Sequence, residues 1–167
     1  MNEEIKTRRF LKRILRDHYS KRDINLPFRF TMREFAFIYF EGKGMHRPVS
    51  FSSKKDVIKF LREKIPLHAY YSTADYSNPQ APMKDKKWLG ADLVFDLDAD
   101  HLPGGESLTY PEQLNLVKKK TLLLIEDFLL DDFGINENEL NINFSGHRGY
   151  HIHVRKNKIL DLSGQAR

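Results

Sequence analysis

Two aspartates lie two positions apart in the segment LVFDLDAD, residues 93–100. In an extended chain Asp96 and Asp98 project from the same face, and Asp100 joins them if the strand continues. Carboxylates placed in this way repel one another unless a cation neutralises them. Oxygen ligands of this kind suit Mg²⁺ or Mn²⁺, which bind a few carboxylates together with substrate phosphates. Taken alone, the spacing fits either a metal site or a solvated strand end.

The same aspartates could belong to two other kinds of metal site, a calcium-binding loop or the metal site of a nucleotide-sugar transferase. A calcium-binding EF-hand loop that began at Asp96 would need glycine at its sixth position and glutamate at its twelfth. His101 and Ser107 occupy those positions, so a calcium loop is excluded. An Asp-x-Asp pair that holds the metal ion of a nucleotide-sugar transferase stays open.

A second polar segment is NFSGHRGYHIHV, residues 143–154, in which two glycines flank a histidine and an arginine. Glycine lets backbone N–H groups approach an anion closely and tolerates a positive φ. Arg148 can donate two hydrogen bonds to one phosphate, and its neighbours project from the polar faces of two strands. We therefore expect a triphosphate cradle at the end of a hairpin. Its predicted nucleotide-binding residues are Ser145, Gly146, His147, Arg148 and His151.

The histidines of this segment raise a different hypothesis, a zinc site made of His147, His151 and His153. His151 and His153 share one strand face, but the sequence has no cysteine and no evident fourth ligand. The zinc site therefore ranks below the phosphate cradle. A polar hairpin face without any ligand is the third interpretation.

The pattern of apolar residues predicts the elements that hold both segments. Period-two alternation indicates a strand over 91–98 with one buried face and one acidic face. Thr109 and Glu112 form a capping-box pair that begins a helix over 111–133, and Gly134 is placed to end it. The helical side chains predicted to be buried are Leu114, Val117, Thr121, Leu124, Ile125 and Phe128. The two remaining strands are predicted at 140–144 and 150–154.

The first half of the chain is predicted to carry two helices and an aromatic hairpin. One helix is indicated in the basic segment 6–22, where apolar residues recur at helical spacing. Ser53 and Asp56 form the start of the other helix, which Pro66 stops. The strands of this half are predicted at 33–40, 47–51 and 68–73, followed by a polar loop at 77–87.

The composition is that of one soluble globular domain. The chain has 167 residues, of which 40% are hydrophobic and 31% are charged, enough to bury a core. Its net charge of +5 permits a polyanionic partner without requiring one, and the basic segment 6–22 is more often a solvated face than a nucleic-acid contact. The absence of cysteine excludes disulfides and thiolate metal sites. Neither a signal peptide nor a membrane span is indicated.

Together the two polar segments resemble the archaeo-eukaryotic DNA primase family, specifically its small catalytic subunit. That family carries an Asp-x-Asp strand motif and then a Ser-Gly-x-Arg-Gly-x-His turn, and both motifs are complete here in the same order. The runs YYSTADY and KKWLGADLVFD are also similar to archaeal members. MREFAF and MHRPVSF resemble an N-terminal part of the family in which a glutamate and an arginine contribute to the site. These residues would be Glu34 and Arg47.

The resemblance implies a nucleotidyltransferase that makes short primers from nucleoside triphosphates on a single-stranded DNA template, together with a primase large subunit. Asp96 and Asp98 would be its catalytic residues and would hold Mg²⁺ or Mn²⁺ in a two-metal mechanism. The nucleotide-binding residues of the glycine turn would offset the charge of the triphosphate. Structural zinc is not expected, because the zinc knob of many members needs cysteines. The protein would be intracellular, in the cytoplasm or nucleoid (or in a nucleus if eukaryotic), with no membrane partner.

The expected architecture is α+β, with an antiparallel-rich sheet packed by the helix over 111–133. The resemblance adds a core like an RNA-recognition-motif sheet. Residues 1–167 are expected to form a single primase-type catalytic domain that is incomplete at the C-terminus, because the family's third aspartate lies much later in the chain. Such a fragment would have reduced activity. The alternatives are another metal-dependent nucleotide or nucleotide-sugar transferase, and a non-catalytic module for nucleic-acid binding or assembly.

Overall fold

The computed structural model describes residues 3–21 and 23–155, together with residues 159, 162 and 165. The chain divides into two compact units, Met1–Leu89 and Gly90–Arg167, and each is described by itself. The architecture is α+β with antiparallel sheets, which confirms the predicted fold class. The single catalytic domain and the likeness to an RNA-recognition-motif sheet stay predictions.

The first unit combines two helices with a three-stranded antiparallel sheet. Its helices are α1 (Glu3–Lys21) and α2 (Lys54–Lys64). Its strands are β1 (Phe35–Ile38), β2 (His46–Val49), β3 (His68–Tyr71) and β4 (Ala74–Tyr76). β1 lies between β2 and β3 and pairs with both in the antiparallel sense. The predicted hairpin and third strand are confirmed, and the short strand β4 was not predicted.

Aromatic side chains dominate the core of the first unit. The rings of Phe35 and Phe51 meet edge to face, with centroids 5.2 Å apart. α1 joins this core through Tyr19, whose hydroxyl donates to the carbonyl of Pro66 at 3.2 Å. The buried residues of the cluster are Tyr19, Phe35, Phe37, Phe51, Val57, Leu61 and Ile65. This core fixes β1, and with it the residue just before it, Glu34.

α2 begins as the sequence predicts. The hydroxyl oxygen of Ser53 accepts the N–H of Asp56 at 3.2 Å, and the hydroxyl donates to the carboxylate of Asp56 at 2.7 Å. The helix ends where Ile65 takes a left-handed conformation, with φ of 45°, just before Pro66. Local side-chain chemistry therefore sets both ends of this helix.

The second unit places one long helix against a three-stranded sheet. Its strands are β6 (Leu93–Asp98), β7 (Leu140–Phe144) and β8 (Gly149–Val154), in the antiparallel order β6–β8–β7. A short strand, β5 (Trp88–Ala91), pairs with β4. Helix α3 (Tyr110–Leu123) continues as a π-helical segment, Leu124–Asp132. The predicted order of strand, helix, strand, turn and strand is confirmed.

Thr109 and Glu112 act at the start of α3 as predicted. The backbone N–H and the hydroxyl of Thr109 donate to the carboxylate of Glu112 at 2.8 and 2.5 Å. These hydrogen bonds hold the pKa of Glu112 below its ordinary value. Across the part of the chain that the structure describes, no helix has the length and apolar content needed to cross a membrane.

The helix changes its hydrogen-bond pattern at Leu124, and this changes which side chains are buried. In a π-helix each N–H donates to the carbonyl five residues earlier, as Phe133 does to Phe128 at 2.9 Å. The wider turn points Leu129 inward, at 1% exposure, and leaves Phe128 40% exposed. The predicted burial of Phe128 is therefore wrong, because it assumed the 3.6-residue turn of an α-helix. The predicted burial of Val117, Thr121 and Ile125 is confirmed.

The two faces of the β6–β8–β7 sheet differ in polarity. On one face Ile152 and Val154 are fully buried and cluster with Ile125 and Leu129 of the helix. Successive side chains of a strand point to opposite faces, so the alternate positions form a polar face. The polar face carries Asp96, Asp98, Asn141, Asn143, His151 and His153.

We expect Ile152→Ala to lower the free energy of unfolding by about 2–5 kcal/mol, because it leaves a cavity at a fully buried position. Ile142 is a matched control, since it pairs with Ile152 across the sheet but is 46% exposed. Ile142→Ala should lower the same free energy by about 1 kcal/mol or less. Urea unfolding followed by circular dichroism measures both variants, and equal losses would contradict the burial of β8.

Candidate functional site

The register of β6 against β8 brings the two polar segments of the sequence together. Asp96 lies opposite His151, and Asp98 lies opposite Gly149, in the antiparallel ladder. The acidic face of β6 and the turn before β8 are therefore neighbours, although they are far apart in the sequence. This is the arrangement that a site for a metal ion and a phosphate requires.

Gly149 allows the close approach of the two strands. A Cβ atom at this position would overlap Oδ1 of Asp98 and the carbonyl oxygen of Leu97, so only glycine fits without displacing them. Its N–H donates to Oγ of Ser145 at 3.1 Å, and its carbonyl accepts the N–H of Ser145 at 2.9 Å. The sequence suggests that this glycine makes room for an anion. In the structure the space beside it holds the carboxylate of Asp98.

Ser145 organises the turn between β7 and β8. Besides the N–H of Gly149, its hydroxyl oxygen accepts the N–H of His147 at 3.4 Å. Gly146 has φ of 89°, a left-handed conformation that glycine adopts without strain. Tyr110, at the start of α3, donates its hydroxyl to the carbonyl of His147 at 2.7 Å. The helix start and the hydroxyl of Ser145 therefore both hold the turn in shape.

Three potential metal ligands converge where β6 ends. The chain turns there into a short 3₁₀ helix, Ala99–His101. One oxygen each of Asp98 and Asp100 and one ring nitrogen of His101 all lie within 4.8 Å of one another. Oδ1 of Asp100 is buried and has no hydrogen-bond partner among the described residues. A buried oxygen without a donor fits a divalent cation, and Mn²⁺ or Mg²⁺ suits a set of ligands rich in carboxylate.

Asp96 lies outside that group. Its Oδ1 is 3.3 Å from Nε2 of His151, and its side chain is exposed. The sequence predicts Asp96 and Asp98 as the metal ligands and does not single out His101. His101 was missed because period-two alternation no longer applies where the strand gives way to a 3₁₀ helix. The metal-binding role of Asp96 and Asp98 stays a prediction.

Arg148 links the glycine turn to the acidic group. A terminal nitrogen of its guanidinium lies 3.0 Å from Oδ2 of Asp100, and its side chain remains partly exposed. Arginine has five N–H donors in a planar fork, so donors are left over for an anion. The guanidinium also offsets the repulsion between the carboxylates of Asp98 and Asp100.

The three histidines of the turn and strand do not form a ligand set. Among the described residues, the group of converging metal-ligating side chains contains none of His147, His151 and His153. His151 lies beside Asp96, and His153 is paired in the sheet with Val94. The described residues therefore give the histidine-only zinc site no support.

Glu34 and Arg47 form an ion pair within the first unit. Nε of Arg47 donates to Oε1 of Glu34 at 2.6 Å, and Nζ of Lys86 lies 3.0 Å from Oε2 of the same carboxylate. The side chains of Glu34 and Lys86 are 5% and 3% exposed, whereas that of Arg47 is half-exposed. The buried carboxylate of Glu34 thus pairs with two cations, one at each oxygen. Lys86 was missed because its segment was predicted only as a polar loop.

Opposing effects set the pKa of Glu34. Burial raises the pKa of this carboxyl, but the hydrogen bonds and charges of Arg47 and Lys86 lower it, and the result is a pKa below its ordinary value. The same hydrogen bond raises the pKa of Arg47. Glu34 is therefore ionised at neutral pH although it lies in the interior.

The ion pair borders an open cavity of about 240 Å³ in the first unit. Its lining consists of Glu34, Ala36, Met45, Arg47, Tyr70, Tyr71, Ser72 and Tyr76. Aromatic rings offer flat faces and hydroxyl groups, and a guanidinium offers a positive charge. A lining of this kind suits a planar ligand that carries a negative charge.

Comparisons with known proteins show what the chain is similar to. Residues 95–167 match the model of the family described as DNA primase small subunit. The chain is 46% identical to the DNA primase small subunit PriS of Methanocella arvoryzae, in an alignment that covers 100% of this chain and 42% of the relative. It is 47% identical to that of Methanosarcina barkeri, over 97% of this chain and 40% of the relative. For Thermoplasma volcanium the identity is 44%, over 94% and 47%. The predicted resemblance is confirmed, and the chain spans less than half the length of these relatives.

We expect Gly149→Ala to destabilise the second unit, because the added methyl group would overlap Asp98 and the backbone of Leu97. Overpacking of this kind costs about 1–3 kcal/mol in the free energy of unfolding. Asn143→Ala, an exposed position on the same face, is the control and should change that free energy by about 0.5 kcal/mol or less. Urea unfolding measures both, and an unchanged Gly149→Ala would contradict the close approach of the strands.

Proposed function

We propose that this chain, which is similar over its whole length to DNA primase small subunits, forms the metal-binding and nucleotide-binding part of such a subunit. The reaction would be template-directed synthesis of short primers from nucleoside triphosphates. The observation that carries the proposal is the pairing of β6 with β8, which puts carboxylates and phosphate donors on one surface. Reduced activity of this length of chain stays a prediction.

The metal ion would be held at the end of β6. Asp98 and Asp100, with His101 beside them, offer the converging ligand atoms. Oδ1 of Asp100, which has no hydrogen-bond partner within the described part of the chain, supports a cation there. Asp96, the other predicted ligand, lies on the same face of the strand. When bound, Mg²⁺ or Mn²⁺ would activate the attacking hydroxyl and stabilise the leaving pyrophosphate.

The glycine turn would hold the triphosphate. Arg148 has donors left over beside Asp100, and the exposed corner at His147 lies next to it in the turn. In the reaction a 3′-oxygen attacks the α-phosphorus, the bond to pyrophosphate breaks, and the hydroxyl proton leaves to solvent. Ser145, Gly146 and His151 would keep these donors in place, so that positioning and electrostatics supply the catalysis.

The first unit would contribute Glu34 and Arg47 to nucleotide binding. The half-exposed guanidinium and the tyrosine rings at the cavity support this role. Single-stranded DNA and a primase large subunit are the macromolecular partners that the resemblance favours. The net charge of +5 is compatible with a DNA template.

We expect the double variant Asp98→Asn, Asp100→Asn to bind Mn²⁺ about tenfold more weakly or worse, because it removes both carboxylates of the converging group. Asp131→Asn, an exposed carboxylate of the π-helical segment, is the control and should bind normally. Calorimetric titration of Mn²⁺ measures all three proteins. Asp96→Asn, titrated alongside, decides whether Asp96 belongs to the site. Identical curves for the double variant and the native chain would overturn the metal site.

We expect Arg148→Met to weaken the binding of ATP roughly tenfold, because a charged hydrogen bond to phosphate is lost. Lys119→Met, on the exposed side of α3, is the control for the loss of one charge. Saturable binding of a nucleotide sugar with no preference for ATP would instead favour the transferase alternative. Salt-sensitive binding of single-stranded DNA without any binding of ATP would favour the non-catalytic module.

A further inference from the structure

Lys86 is a buried lysine whose contacts are all internal. A lysine is seldom buried, because its ammonium group loses hydration unless it is paired. Its Nζ lies 3.0 Å from Oε2 of Glu34, donates to the carbonyl of Pro79, and sits 5.1 Å from the centroid of the Tyr76 ring. Three contacts match the three N–H donors of an ammonium group. Lys86 is therefore not available to a ligand itself.

The carboxylate of Glu34 contacts both the buried Lys86 and the half-exposed Arg47. One carboxylate oxygen faces Lys86, and the other accepts the Nε–H of Arg47. The backbone of Glu34 is fixed as well, because its N–H donates to the hydroxyl of Ser72 at 3.1 Å and its carbonyl accepts the N–H of Ser72 at 2.8 Å. The carboxylate therefore has little freedom to follow a moving arginine.

The other charged groups nearby are engaged elsewhere. Arg33 precedes Glu34, and its Nε donates to the carbonyl of Phe28 at 2.8 Å and lies 3.5 Å from Asp75. Tyr76, whose ring lies beside Nζ of Lys86, also acts electrostatically on Arg47. The balance of charge on Glu34 thus depends on Arg47 and Lys86 together.

We propose that Lys86 is a positioning residue for Arg47: its buried ammonium fixes Glu34 from the inner side, and Glu34 in turn fixes Arg47 at the cavity. The inference rests on the proposed function, in which Arg47 meets an anionic group of the nucleotide. Among the residues that the structure describes, Arg47 is held through Nε, so both terminal nitrogens of its guanidinium can bind that group.

The ammonium charge of Lys86 acts on Glu34 from the buried side, where water screens it less. Arg47 is half-exposed, so water screens part of its attraction for the buried carboxylate. With Lys86 behind it, Glu34 stays ionised and Arg47 gains a fixed anchor. An arginine anchored before the ligand arrives loses less side-chain entropy when it binds.

The same geometry also fits a rival role, in which Lys86 only stabilises the fold. The two roles differ in what Arg47 does as the pH falls. A carboxyl whose folded pKa is depressed contributes stability above its unfolded pKa and loses it as pH falls through the folded pKa. Without Lys86 the folded pKa of Glu34 would be higher, so the anchor of Arg47 would fail at a higher pH.

We expect the Nε–H resonance of Arg47 to titrate with Glu34, and its midpoint to rise by about one pH unit or more in Lys86→Met. Lys86→Arg restores the charge and should restore the native midpoint. Lys84→Met removes an exposed lysine from the same segment and is the control. The measurement is a series of ¹H–¹⁵N spectra of the whole chain against pH, with the resonance assigned by its loss in Arg47→Lys.

An unchanged midpoint in folded Lys86→Met would overturn the proposal, since Lys86 would then have no effect on the carboxylate that holds Arg47. Glu34→Gln covers the case in which Lys86→Met does not fold. The Arg47 resonance should then lose its acid titration altogether. An acid titration that is absent from the native chain, or that persists in Glu34→Gln, would equally overturn the role of Glu34.

A second readout separates this inference from the proposed function. ATP with Mg²⁺ is titrated at about pH 7 and at about pH 5, where a Glu34 with an ordinary pKa begins to protonate. At the lower pH we expect Lys86→Met to bind ATP several-fold more weakly than the native chain, and Lys86→Arg to match it. If the midpoint shifts but neither Lys86→Met nor Arg47→Lys changes ATP affinity, the positioning by Lys86 stands and the nucleotide contact of Arg47 is wrong.

Discussion

One pairing register, Asp98 of β6 against Gly149 of β8, governs the second unit. A slip of one residue would turn every side chain of a strand to the opposite face. Asp96 and Asp98 would then enter the apolar cluster, and Ile152 would face water. The register is fixed from both sides, because the apolar face must be buried and because only glycine fits beside the Asp98 carboxylate. The core and the polar surface are thus consequences of a single constraint.

The carboxylates at the end of β6 and the carboxylate of Glu34 differ in how far they are paired with cations. At the end of β6 the carboxylates are gathered near the surface, with Arg148 as a partial counter-charge. None of the described residues donates a hydrogen bond to Oδ1 of Asp100. In the first unit the buried carboxylate of Glu34 is bonded on both oxygens by cations. An incompletely paired cluster is suited to receive a cation, whereas a fully paired carboxylate is suited to hold other groups still. Our proposals for metal binding and for the positioning of Arg47 follow from this difference.

Much of the fold could be predicted because its causes are local. The alternation of apolar and polar residues predicted strands β6, β7 and β8, and the capping residues predicted the starts of α2 and α3. The order of the two motifs in the chain predicted a resemblance to DNA primase small subunits, and the comparisons show that similarity. Features that escaped prediction include the inward turn of Leu129, the approach of His101 to Asp98, and the burial of Lys86. Each depends on a departure from a regular period, or on a partner distant in the sequence.

The sequence by itself determined which residues can do chemistry and on which side of a strand they stand, because alternation and glycine preference act within a few residues. Only the tertiary structure decided which of them meet. It joined Asp100 and His101 to Asp98 through a 3₁₀ turn, set Asp96 beside His151, and placed Lys86 behind Glu34. The physical reason is that a carboxylate's neighbours are chosen by backbone register and by the need to pair every buried charge, and neither is visible in a short stretch of sequence.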